Sequence, residues 1–170
     1  MRFVHLTDTH IGPTPDYTNA GHNAFKNLEH VVDRINELPF TPDFVLHTGD
    51  VVDDWSEAAY RLAKPVLKRI KFPVYYVAGN HDDPDRLQRI LLNQEPTAER
   101  YDYSFDCDGI HIAVFDTRRP EDNPGGTLKP AQLQALREVC TPDGPPLLIA
   151  LHHEPVLLDV TWMDGWMNLD

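Results

Sequence analysis

Cysteine is scarce in this chain of 170 residues: Cys107 and Cys140 stand in unlike contexts, and no C-x-x-C pair occurs. A disulfide framework is therefore not expected, and nothing suggests a secreted protein. Long apolar runs are also missing. No stretch approaches the ~20 residues that a membrane-crossing helix needs. The opening Met1-Arg2-Phe3-Val4-His5, with Asp8 soon after, leaves no place for a signal-peptide hydrophobic segment. Positive charge is short as well: 15 Lys and Arg face 27 Asp and Glu, for a formal net charge of -12. Nonspecific binding to nucleic acid or to anionic membrane draws on cationic contacts, so neither partner is expected. The cytoplasm is the expected location. Bound cations would offset part of the acidity.

What is present suffices for one domain with a real core. The chain is 41% hydrophobic, and a domain near ~150 residues hides roughly 70% of the surface its unfolded chain exposes. Short apolar runs at Arg2–Thr7, Asp43–Thr48 and Pro73–Ala78 read as strands. Between them, apolar spacings of three and four predict helices over Ala20–Leu38 and from Ser56 to Ile70, with Pro65 expected to kink or restart the second. A short helix from Pro84 to Leu92 follows. Strand and helix in alternation is the pattern of parallel βαβ units. After Pro96 the texture changes: Arg100–Cys107 and Ile110–Phe115 flank Asp108-Gly109, an antiparallel hairpin signal. A polar loop over Thr117–Lys129, a helix over Pro130–Val139 and a strand over Leu147–Leu151 complete a mixed α/β reading.

Four of these strands end in the same kind of chemistry. They run into Asp8-Thr9-His10, Gly49-Asp50, Gly79-Asn80-His81-Asp82 and His152-His153. Ligands in open α/β sheets sit beyond the carboxyl ends of the strands. Carboxylate, amide and imidazole gathered there suit Mn, Fe or Zn, and the lack of cysteine argues against a structural zinc site. Asn80 is the informative member, because a neutral amide is a poor acid or base but a workable oxygen ligand.

In this order, Asp8-x-His10, Gly49-Asp50-x-x-Asp53, Gly79-Asn80-His81-Asp82-Asp83, Phe115-Asp116-Thr117 and Leu151-His152-His153-Glu154-Pro155 resemble the successive blocks of the calcineurin-like metallophosphoesterases. Within them the match is closest to the bacterial class III cyclic-nucleotide and glycerophosphodiester phosphodiesterases. The resemblance implies an αββα sandwich of two mixed sheets flanked by helices. It also implies a centre of two divalent or transition metal ions (Fe, Mn or Zn), at which a metal-bound hydroxide hydrolyses a small phosphodiester. Asp8 and His10 would hold the first metal, Asp50 would bridge, and Asn80 and His152 would hold the second. His81 would contact phosphate and assist the leaving oxygen. His152 is preferred to His153 as ligand, Asp53 reads as a loop acid, and His5 and His47 read as packed, hydrogen-bonded histidines. His22, His30 and His111 read as ordinary surface residues, with His22 able to face the cleft. Trp162, Met163, Trp166 and Met167 read as core, with a substrate-pocket or subunit-contact surface as the alternative.

The family's final block, G-H-x-H, occurs nowhere in these residues. Residues 1–170 are therefore expected to form a single metallophosphoesterase domain incomplete at its carboxy terminus. The rival readings are a phosphomonoesterase or nucleotide pyrophosphatase branch and an inactive scaffold lacking two metal ligands. A homo-oligomer is compatible with the sequence, and a second chain supplying the missing histidines is one form of it.

Overall fold

The alternation of apolar strand and amphipathic helix builds a layered α/β structure in the computed structural model, which describes residues 1–96, 98–119, 124–161, 163–164 and 167–169. The elements are β1 (Phe3–Leu6), α1 (Ala24–Asn36), β2 (Phe44–His47), α2 (Glu57–Leu67), β3 (Val74–Tyr76), α3 (Pro84–Arg86), β4 (Tyr103–Cys107), β5 (Ile110–Val114), α4 (Pro130–Val139) and β6 (Leu147–Ala150). Strands β1, β2 and β3 form a parallel sheet in that order, and β4, β5 and β6 form a second. In the second sheet β4 pairs antiparallel with β5, and β5 pairs parallel with β6. The second sheet is thus mixed as expected, whereas the described strands of the first are parallel throughout.

β2 lies at the centre of the first sheet with all four residues buried, so its two faces serve two cores. Val45 packs outward with Val32, Ile35, Tyr60, Val66 and Leu67 from α1 and α2. Phe44 and Leu46, on the opposite face by the period of two, meet Val77, Ile112, Val114 and Ala150 between the sheets. Each such side chain contributes roughly 1.5–3 kcal/mol by burial. The free edge of β3 is closed by one hydroxyl: Tyr103 Oη accepts from Tyr76 N at 3.0 Å and donates to Tyr76 O at 2.8 Å.

Three element boundaries differ from expectation for identifiable reasons. α1 starts at Ala24, because Asn23 accepts from Lys26 N at 2.8 Å as its cap, while Ala20 and Gly21 take the left-handed conformation. Pro65 does not restart α2, which runs through it and ends two residues later. The helix after Asp83 is a single turn, α3, followed by a π-helical stretch over Leu87–Leu92 that left-handed Asn93 ends. Among the described residues no helix is long and apolar enough to cross a membrane. Of the terminal aromatic cluster, Met163 and Met167 are half-buried, and Trp162 and Trp166 lie outside the described residues, as do residues 120–123 of the polar loop.

Candidate metal centre

The loops leaving β1 and β2 continue side by side after the strands stop. Asp8 N donates to Gly49 O at 3.0 Å, His10 N to Asp50 O at 3.0 Å and Ile11 N to Val51 O at 3.1 Å. Asp8, His10 and Asp50 all have positive φ, between 43° and 54°. Left-handed backbone costs a residue with a side chain roughly 1–2 kcal/mol, and such strain persists where neighbouring structure fixes it. Here the loop-to-loop hydrogen bonds fix it, and the result is that both carboxylates and the imidazole face one point.

Two glycines let the other loops approach. A Cβ on Gly79 would lie 2.2 Å from Asp50 Oδ1, and one on Gly49 would lie 2.6 Å from His152 Nδ1. Asp82 locks the approach. Its buried carboxylate accepts from Val51 N at 3.1 Å, Gly79 N at 3.0 Å and Tyr60 Oη at 3.0 Å, tying the turn after β2 to the turn after β3. Burial and the nearby Asp50 charge raise its pKa to about 6, despite those donors.

The convergence brings together Asp8, His10, Asp50, Asn80, His81 and His152. His10 Nε2 is 3.5 Å from Asp8 Oδ1 and 3.7 Å from Asp50 Oδ2. His152 Nε2 is 3.5 Å from Asp50 Oδ2 and 3.1 Å from Asn80 Oδ1. His81 stands against His10 edge-on with ring centres 4.9 Å apart, and its backbone N–H donates to Asp50 Oδ1 at 2.8 Å.

The three imidazoles are oriented alike. Each donates Nδ1–H to an oxygen outside the cluster: His10 to Asp53 Oδ1 at 3.0 Å, His81 to Asp53 O at 2.7 Å and His152 to Thr48 O at 2.8 Å. A ligating histidine is set in this way by the partner of its other nitrogen, and Nε2 of each is left for the cleft. His153 is different. It accepts from Thr117 Oγ1 at 2.7 Å through Nδ1 and donates to Pro124 O at 2.9 Å through Nε2, so both nitrogens are engaged. Burial and the His152 charge lower its pKa to about 4.

Electrostatics match the donor arrangement. Burial pushes Asp8 up, but hydrogen bonds from His10 and Thr7 and the His152 charge outweigh it and hold the carboxyl at about 2. Asp50 is likewise lowered, against its burial, by the His152 hydrogen bond and charge. Burial disfavours charge on His152, yet the Asp50 hydrogen bond and charge raise it to about 9. His10 is raised through Asp8, Asp50 and Asp53, also against its burial.

The donor set fits metal ions. The ligand atoms of Asp8, Asp50 and His152 lie within 4.8 Å of one another, and hard oxygens with imidazole nitrogens suit Mn, Fe or Zn. Asp50 is nearly inaccessible, 3% exposed, and its Oδ2 lies 3.7 Å from His10 Nε2 and 3.5 Å from His152 Nε2. His10, Asp53 and His81 also cluster within 4.8 Å, but Asp53 is already occupied by His10 Nδ1, Tyr17 Oη and Asn19 Nδ2. It acts as the orienting partner of His10.

Sequence reasoning underrated Asp53 as a loop acid and gave Asp82 no role; the signal available was their place inside G-D-x-x-D and G-N-H-D. His5 was expected to be packed but is exposed, hydrogen-bonded to Thr48 Oγ1 at 2.7 Å. His47 is fully buried, and burial lowers its pKa to about 3. His22 lines a cavity of about 430 Å³ beside Asp8 and His10, whereas His30 is exposed and the half-buried His111 pairs with Asp106.

Carboxylate, amide and imidazole groups gathered at the strand ends of a two-sheet α/β fold define a candidate metal-centre class. The chain belongs to the calcineurin-like phosphoesterase family, whose model matches residues 1–169. It is 31% identical to the cAMP/cGMP dual specificity phosphodiesterase of Mycobacterium tuberculosis over 90% of this chain and 49% of that one. It is 29% identical to the 3',5'-cyclic adenosine monophosphate phosphodiesterase of Pseudomonas aeruginosa, over 95% and 58%. A probable glycerophosphodiester phosphodiesterase of Arcobacter nitrofigilis is 26% identical over 96% and 61%. The chain thus spans about half to three-fifths of the length of these relatives. A purple acid phosphatase from yellow lupin seeds has the same fold, with a TM-score of 0.61 at 15% identity over 98% of this chain and 33% of that one.

Proposed function

We propose that this chain carries the metal-bearing part of a phosphodiester hydrolase acting on a small diester of the cyclic-nucleotide or glycerophosphodiester kind. The observation that carries the reading is the meeting of Asp8, His10, Asp50, Asn80 and His152 beside His81, with the Nε2 atoms of His10 and His152 both facing Asp50 Oδ2. Asp8 and His10 are the proposed ligands of one ion, Asn80 and His152 of a second, and Asp50 is shared. Ions bound there would supply positive charge to the phosphoryl oxygens and lower the pKa of water.

The chain's own residues do the rest. Asp53 holds His10 through Nδ1 and keeps Nε2 directed inward. The Asp53 carbonyl fixes the His81 ring in the same way, which leaves Nε2 as the nitrogen that assists the leaving oxygen. Asp82 keeps the Asn80-His81 turn against Asp50. Asn80 adds an oxygen without adding charge, which limits repulsion with the substrate phosphate.

Residues 1–170 are proposed as a single metallophosphoesterase domain. The proposed metals are Mn, Fe or Zn, the proposed location is the cytoplasm, and no nucleic-acid partner is proposed. The test of function compares bis(4-nitrophenyl) phosphate with 4-nitrophenyl phosphate in the presence of manganese. The diester is expected to react faster, and His81→Ala is expected to lower kcat by about 10²–10⁴-fold without changing metal content. A strong monoester preference would overturn the diesterase reading.

A further inference from the structure

Trp55 stands at the same cleft without a part in the chemistry above. It is 46% exposed, yet it is held at both ends. Its indole Nε1–H donates to Asn80 O at 2.9 Å, and its own carbonyl accepts from Arg86 Nη1 at 2.6 Å. The indole lies nearly parallel to the His81 imidazole, with centroids 6.3 Å apart and planes 20° from each other. Its φ is 57°, in a region that bulky residues seldom occupy. Burial does not account for an aromatic ring kept half in water on such a backbone. The restraints instead present the ring in one place, beside the His81 imidazole.

We propose that Trp55 is a stacking platform for a planar aromatic group on the leaving side of the substrate, a nucleobase or an aryl ring. The proposal rests on reading this site as a phosphodiester hydrolase with His81 at the leaving oxygen. A group departing toward His81 meets the indole next. An aromatic ring there gains by offset stacking, and a base stacks on such a platform whatever its identity. A glycerol-type leaving group has no planar face and gains nothing from it. Trp55 therefore sets a preference for aromatic over aliphatic esters, which the metal ligands alone do not provide.

The test uses the manganese-loaded protein and four unreactive or product-like probes, titrated by calorimetry: inorganic phosphate, glycerol 3-phosphate, adenosine 5'-monophosphate and phenylphosphonate. The parent is expected to bind the two aromatic probes about tenfold or more tightly than glycerol 3-phosphate. Trp55→Ala is expected to erase that advantage while phosphate affinity stays the same, and Trp55→Phe to keep part of it. An advantage confined to the adenosine probe identifies a nucleobase as the partner; one shared by phenylphosphonate identifies any planar ring. If Trp55→Ala keeps the parent's ratio, or weakens all four probes by a common factor, the platform is wrong while the hydrolase reading stands. If the parent fails to bind phosphate at all, the hydrolase reading falls and takes the platform with it.

Discussion

At the residue scale, the proposed metal ligands are positioned by two aspartates, Asp53 and Asp82. Asp53 sets His10 and also takes bonds from Tyr17 and Asn19. Outer partners of this kind are typically worth 10–100-fold in metal affinity. Asp53→Ala is therefore expected to weaken manganese binding by roughly that factor, measured by calorimetric titration, with little change in the far-ultraviolet circular dichroism. Asp82→Ala has a different signature. It strands the Val51 and Gly79 amides and the Tyr60 hydroxyl in a buried space, and each unsatisfied buried group costs about 1–3 kcal/mol. A loss of at least about 2 kcal/mol in urea unfolding is expected, and a neutral result would mean that water replaces the carboxylate.

At the element scale, the sequence's short apolar runs are legible as strands because burial on both faces demands continuous apolar residues; Phe44–His47 is buried along its whole length. Helix ends are legible where a cap is present, as with Ser56, which accepts from Ala59 N at 3.1 Å. What could not be read was set by long-range contact. The left-handed backbone at Asp8, His10 and Asp50 follows from pairing between loops some forty residues apart, which leaves no local pattern. The role of Asp53 depends on Tyr17 and Asn19 in the same way. Pro65 was misleading because local rules penalise proline inside a helix, while α2 holds it one turn from its end. Restoring an N–H there predicts that Pro65→Ala raises the melting temperature, by about 1 kcal/mol of added stability, and an unchanged or lower value would mean that the proline's rigidity compensates. Gly79 gives the sharper element-scale test. Gly79→Ala forces a methyl against the Asp50 carboxylate, so metal binding should be lost even if the variant folds.

At the scale of the whole molecule, the proposed ligation would couple metal, proton and stability. His152 titrates at about 9 in the folded protein against an ordinary 6.5. Because the folded value is raised, the stabilisation from its protonation is complete below pH 6.5 and is lost as pH rises through 9. Ligation requires the neutral imidazole, so cation and proton compete for His152 and for the similarly raised His10. Manganese uptake at pH 7 is therefore expected to release about one proton or more per chain, seen as a dependence of the calorimetric heat on buffer. Apparent affinity should tighten from pH 6.5 to 9; a flat profile would mean that His152 is not a ligand. The cleft is shared by both sheets, with Asp8, Asp50 and Asn80 following the first and His152 following the second, so a bound ion also ties the two layers together. The central claim is that these strand ends hold metal. Its most direct measurement is the manganese content of the purified, manganese-loaded protein by elemental analysis, beside Asp50→Ala. At least one manganese per chain, lost in the variant, is the predicted result; no bound transition metal in the parent would contradict the account.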